Sequence, residues 1–188
     1  MNLFQIIYLI EIVIWFLPPI RQYKNNYFYF FLILAITEIF AFITYKIFEL
    51  PTIITYAIFS YFLSLSLIDK KTLKKHLIIF ILLFFALLSI IIYNPSTNKA
   101  ALLSLYLIIA FLLIKKFIVV FIHNKLFDVF LLVFVFYILT VITKFLNLYT
   151  GMTDAYTYFI ITSIFQILFG LFFSLFKADD NRLFIQLK

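Results

Sequence analysis

The chain has no cysteine, only two glycines and two histidines, and few charges: Asp, Glu, Lys and Arg make up 12% of its 188 residues. Without cysteine there is no disulfide, no thiolate metal site and no thiol nucleophile. Gly151 and Gly170 are too few for a glycine-rich phosphate loop. His76 and His123 fall between apolar runs, which removes paired axial haem ligation inside a membrane. Asp69, Asp128, Asp154, Asp179 and Asp180 provide no aspartate pair at mid-membrane depth, so paired-aspartate proteolysis lacks its residues. Serine hydrolysis needs a base beside the serine, and Lys144 is only a generic match. The expectation is a chain with no catalytic residues, no metal and no cofactor.

What is abundant is apolar surface. Hydrophobic residues make up 66% and aromatic residues 22% of the chain, whereas a soluble domain is about half apolar and a quarter charged. Apolar runs long enough to span a bilayer, about 20 residues each, recur from end to end with brief polar breaks. The spans are expected at residues 3 to 19, 27 to 49, 51 to 68, 77 to 93, 100 to 116, 127 to 148 and 155 to 176. Pro18 and Pro19 are expected to close the first helix, Pro51 to open the third, and Pro95 to lie in the loop after the fourth. The stretch "LLIKKFIVVFIHNKLF" is expected to leave the fifth span and lie flat at the interface, which keeps Lys115 and Lys116 out of hydrocarbon. The first run reads as a retained helix rather than a signal peptide: only Met1 and Asn2 precede it, and "LPPIRQYKNN" offers no small-x-small cleavage site.

The net charge of +7 would suggest nucleic acid in a soluble protein. Here the cations sit between apolar runs and read as topology signals, so nucleic acid is not an expected partner. Twelve of the fifteen Lys and Arg follow the first, third, fifth and seventh runs; Lys46, Lys99 and Lys144 fall on the other side. Positive-inside bias then puts the N-terminus outside and the C-terminus in the cytoplasm. The fold class expected is all-α: one polytopic integral membrane bundle of seven helices over residues 1–188, with a short cytoplasmic tail at 177–188. Heavy use of Ile, Phe, Lys, Asn and Tyr fits an AT-rich bacterial genome, hence the inner membrane. Lys70, Lys71, Lys74 and Lys75 in "DKKTLKKH" are expected to anchor topology at the membrane surface, with anionic lipid as a second role.

A few polar residues fall inside the apolar runs. Glu11 in "YLIEIVIW" and Glu38 in "AITEIFAF" lie near mid-span, where a charge costs about 3 kcal/mol on insertion scales. Both are expected to face the bundle interior, neutral or beside a cation. Ala35 and Ala41 lie three residues either side of Glu38 and mark that face for close helix packing. In the sixth run Tyr137, Thr140, Lys144 and Asn147 recur at three- and four-residue spacing on one face. The seventh offers Ser163, Gln166, Gly170 and Ser174, and the third offers Ser60 and Ser64. Glu38 with Lys144 is the first pairing expected. Such an interior is either an outward-facing pocket or proton-coupled switch, or polar glue between helices at about 0.6 kcal/mol per hydrogen bond.

Microbial rhodopsins share seven helices and an outside N-terminus, but their retinal lysine lies midway along the seventh helix, where this chain reads "YFIITSIFQILFGLFF" with no lysine. The chain instead resembles a group of small seven-helix membrane proteins of Bacteroidota often encoded beside sensor histidine kinases. The resemblance rests on "LAITEIFAF" with Glu38, "LFDVFLLVFVFYIL" with Phe127 and Tyr137, and "SIFQILFGLFFSLFK" with Gln166. It implies a sensor, signalling or accessory subunit for a histidine kinase or another membrane-protein complex in the lipid bilayer. A proton-coupled small-solute transporter or channel using Glu38, Lys144 and Gln166 is the alternative, and a lipid-active enzyme has the least support.

Overall fold

The computed structural model describes residues 3–94, 97–151 and 154–186. Pro95 and Lys188 lie outside the described residues. Among the described residues the chain is all-α apart from one two-stranded clasp: α1 Leu3–Trp15, α2 Leu17–Arg21, α3 Phe28–Phe48, α4 Thr52–Ser66, α5 Lys70–Lys75, α6 Leu77–Tyr93, α7 Asn98–Asn124, β1 Leu126–Asp128, α8 Val129–Thr150, α9 Ala155–Leu175, a 3₁₀ turn Asn181–Leu183 and β2 Phe184–Gln186. Among the described residues four helical stretches are long and apolar enough to cross a membrane: Phe28–Phe48, Asn98–Asn124, Val129–Asn147 and Thr157–Leu175. α1, α4 and α6 are shorter, at 13, 15 and 17 residues, so α1 rises only about 20 Å at 1.5 Å per residue.

Two local expectations are corrected. Pro18 and Pro19 do not close the first helix; α1 stops at Trp15, and the prolines occupy the first turn of α2. Proline lacks an amide donor and clashes with the carbonyl four residues back, so the break falls upstream of it. The segment after Lys116 does not lie flat as a separate interfacial element. α7 runs unbroken to Asn124, and the left-handed Lys125, φ 50°, ends it. No glycine or proline interrupts "KKFIVVFIHN", so the backbone hydrogen bonds continue through both lysines. Lys116 is half-buried there, its Nζ 5.4 Å from the centre of the Tyr27 ring.

The helices close into a ring. α3 packs on α4, α4 on α7, α7 on α8 and α8 on α9, while α9 packs on α1 and α2, which return to α3. α6 stands outside this ring, touching α4, α5 and α7, and of its residues only Ile91 is buried. One end of the ring is filled by phenylalanine. Phe30, Phe31, Phe130, Phe134 and Phe173 are fully buried, with Phe30 edge-on to Phe134 at 4.7 Å and Phe31 stacked on it at 5.3 Å. Edge and offset geometries suit the aromatic quadrupole, so this cluster fixes α3, α8 and α9 against one another.

Small residues set the closest approaches. Ala35 and Ala41 are buried on α3, as is Ala57 on α4. Gly170 lets α1 lie against α9: a Cβ there would stand 2.6 Å from Ile14 Cγ2 and 3.5 Å from Trp15 Cε2. Gly170→Val is expected to lower stability by about 1–3 kcal/mol through overpacking, measured as a lower midpoint of thermal unfolding in detergent.

The C-terminal tail is tied down. β2 pairs antiparallel with β1, Phe127 opposite Ile185, so the tail clasps the junction between α7 and α8. Arg182 hydrogen-bonds Asp180 through Nε at 3.0 Å and Nη2 at 2.7 Å. Those bonds hold the Asp180 carboxyl down at about 2. Asp128, the last residue of β1, also caps α8 by accepting from the Leu131 amide at 3.0 Å. Burial raises the Asp128 carboxyl above its ordinary 3.8 despite that bond, and its charge adds to the burial that raises the Tyr27 phenol. The folded chain therefore holds the Asp128 proton more tightly than the unfolded chain. Stability from this group is fully present below 3.8 and is lost as pH rises through the raised value. Asp128→Asn keeps an effective cap and removes the titration. Its unfolding midpoint is expected to vary less than that of the wild type between about pH 4 and pH 7.

Candidate functional site

Every helix of the ring except α2 contributes to one central chamber of about 220 Å³. α1 supplies Glu11 and Trp15, α3 supplies Leu34, Thr37 and Glu38, and α4 supplies Tyr56. α7 adds Tyr106, α8 adds Tyr137, Val141, Lys144 and Phe145, and α9 adds Phe159 and Gln166. The volume has room for roughly half a dozen waters or one small solute.

Lys144 donates from Nζ to Gln166 Oε1 at 3.0 Å. Its ammonium also lies 4.9 Å from the centre of the Phe159 ring, a cation–π geometry. Glu38 accepts from the Tyr56 hydroxyl at 2.9 Å. The pairing expected between Glu38 and Lys144 is thus replaced by two separate bonds, each joining neighbouring helices of the ring. Among the described residues the salt bridge is Arg182 with Asp180, outside the chamber. Glu11, from α1, is buried in the same chamber. With both glutamates and Lys144 ionised the chamber carries one net negative charge; one bound proton or one monovalent cation makes it neutral.

Five of the expected interior residues, Glu11, Glu38, Tyr137, Lys144 and Gln166, line this chamber together. Thr140 and Asn147 do not. The Thr140 hydroxyl donates to the Tyr137 carbonyl of its own helix at 2.7 Å, and Asn147 is buried one turn before the end of α8, its carbonyl accepting from the Gly151 amide at 2.8 Å. Ser60 and Ser64 likewise satisfy themselves on α4 carbonyls. Ser163 is fully buried on α9, beside the Glu11 carboxyl.

Sequence reading passed over Thr37, Tyr56, Tyr106 and Trp15. Tyr106 is buried in the chamber wall, and the Trp15 ring lies 4.7 Å from that of Tyr137, tilted by 40°. A second cavity of about 420 Å³ adjoins the first. It is apolar, walled by Ile53, Leu102 and Leu103, with Lys99 and Tyr149 towards the start of α7 and the end of α8. Tyr56 and Phe145 line both cavities, their rings 6.3 Å apart, so these two side chains are the wall between them.

Of the basic residues expected at the membrane surface, Lys70, Lys71, Lys74 and Lys75 all lie exposed on α5. Among the described residues no group of three or more His, Asp or Glu comes together to hold a metal ion. No protein-family model, no curated protein and no solved structure matches the chain.

Proposed function

We propose that the chain is a non-enzymatic sensor or accessory subunit of the bacterial inner membrane. In this reading it crosses seven times, N-terminus outside and C-terminus in the cytoplasm, and passes the charge state of its central chamber to a partner such as a histidine kinase. One observation carries the reading: α8 holds Lys144 in the chamber and begins at the β1–β2 clasp of the tail. A helix is stiff over this length, so a change in what Lys144 bonds bears on the junction where the tail is fastened. The bonds Tyr56 to Glu38 and Lys144 to Gln166 give a proton or small solute two interhelical contacts to compete with.

Two measurements test it. Hydrogen exchange of the Phe184–Gln186 amides, compared between wild type and Glu38→Gln at one pH, is expected to differ; identical protection sinks the coupling. Purification in mild detergent is expected to bring down a membrane or cytoplasmic partner, and recovery of the chain alone counts against the accessory role.

A second reading, a proton-coupled small-solute transporter or channel, is favoured by the shared wall of Tyr56 and Phe145. Movement of those two rings would join the chamber to the adjoining cavity. Proton flux into proteoliposomes that is the same in wild type and Glu38→Gln rules this out.

A further inference from the structure

A third cavity, of about 1170 Å³, opens at the end of the ring where the turn before α3, the end of α4 and the start of α5 meet α7. Four lysines line it, Lys24, Lys70, Lys115 and Lys116, and one carboxylate, Asp69. We propose that this cleft binds the phosphate headgroup of an anionic membrane lipid.

The charge is uncompensated. Four ammonium groups against one carboxylate leave three positive charges, and among the described residues none of the four forms a salt bridge. Three of the ammoniums instead rest near tyrosine rings: Lys24 at 5.6 Å from the Tyr23 centre, Lys70 at 5.9 Å from Tyr29 and Lys116 at 5.4 Å from Tyr27. A ring holds a cation in place without neutralising it, so each lysine keeps its donors for an anion. Phosphate, with its several acceptor oxygens, takes charge-assisted bonds from more than one of them at once.

Topology alone does not ask for this arrangement. Positive-inside bias is satisfied by lysines anywhere on the correct side, as by Lys71, Lys74 and Lys75, which lie outside the cleft. The four cleft lysines come from three separate segments, the turn before α3, the start of α5 and the middle of α7, and converge. The remaining lining identifies a lipid rather than a free phosphate compound: Phe28, Leu67, Phe80, Leu112 and Val120 put apolar side chains beside the ammoniums. That surface suits the glycerol and upper acyl carbons of a phospholipid, at the interfacial depth where polybasic sites act.

The test uses the full chain in mild detergent micelles doped with phosphatidic acid, with phosphatidylcholine, or with free inorganic pyrophosphate at matched ionic strength. Native mass spectrometry and the thermal unfolding midpoint read binding. Phosphatidic acid is expected to stay bound and raise the midpoint, and phosphatidylcholine to do neither. The exposed pair Lys24→Gln/Lys70→Gln is expected to weaken phosphatidic acid roughly thirtyfold, while Lys71→Gln/Lys74→Gln, the same loss of charge outside the cleft, costs no more than a few-fold. Lys116→Gln adds to the first pair if it folds, and the exposed pair decides the matter if it does not. Pyrophosphate binding as tightly as phosphatidic acid overturns the lipid assignment. Equal binding of both lipids, or equal losses in the two double variants, overturns the site.

Discussion

Gln22→Glu is expected to be among the most damaging single substitutions in the chain, lowering the unfolding midpoint severely or preventing folding. Gln22 is fully buried just after α2. Its amide nitrogen donates to the Phe173 carbonyl at 3.0 Å and the Phe176 carbonyl at 2.7 Å, and its oxygen accepts from the Ala178 amide at 3.1 Å. Those carbonyls are in the last turn of α9, or just beyond it, where the helix itself supplies no donor. Arg21 adds a bond from Nε to the Leu175 carbonyl at 3.2 Å, placing a cation where the helix dipole favours one. One side chain at the end of α2 thus caps a helix 151 residues away in sequence and closes the ring. Glutamate keeps the shape but removes both donors and brings a carboxylate against two carbonyl oxygens. Gln22→Ala removes the same three bonds without adding charge. An unsatisfied buried group costs about 1–3 kcal/mol, so the alanine variant is expected to lose several kcal/mol and the glutamate variant more. Thermal unfolding in detergent checks the order wild type, alanine, glutamate; an alanine variant as stable as wild type shows that water replaces the cap.

Lys144→Met carries the second large effect. Methionine fills much of the volume but leaves Gln166 Oε1 without its donor and the chamber with Glu11, Glu38 and no cation among its lining residues. Loss of a hydrogen bond from a charged donor costs about 1.5–3 kcal/mol, and repulsion between the two glutamates adds to it near neutral pH. If the three groups share one electrostatic environment, the loss is not additive. The double variant Lys144→Met/Glu38→Gln is expected to be more stable than the sum of the single changes predicts, by about 0.5–3 kcal/mol. Strict additivity in that cycle means that Glu38 and Lys144 do not feel each other across the chamber.

Glu11, Glu38, Tyr137, Lys144 and Gln166 were legible in the sequence because ionisable and amide groups inside apolar runs are costly and must find an interior. Their partners were not. Whether Lys144 meets Glu38 or Gln166 depends on how α8 is rotated against α9, and helical spacing fixes only which residues share a face. Tyr56 and Tyr106 read as ordinary membrane aromatics, since their hydroxyls carry no mid-span penalty that marks them. Gln22 sits in a polar break where glutamine is unremarked, and its three partners lie at the far end of the chain. The β1–β2 clasp rests on three residue pairs between short segments, too brief for alternation to show. The continuous α7 was missed because the Lys115–Lys116 pair resembles a helix end, while the tyrosine ring that accommodates Lys116 comes from the turn before α3.

The claim on which the functional reading stands is that the chamber titrates and that the helices around it respond. Trp15 lines the chamber and is the only tryptophan in the chain, so its emission reports the site without a label. In lipid nanodiscs, the wild-type emission maximum is expected to shift through a single transition between about pH 4 and pH 9, and that transition is expected to vanish in Glu11→Gln/Glu38→Gln. An emission maximum that stays constant across the range in the wild type, or a transition that survives in the double variant, contradicts the account and leaves the polar groups as interhelical glue.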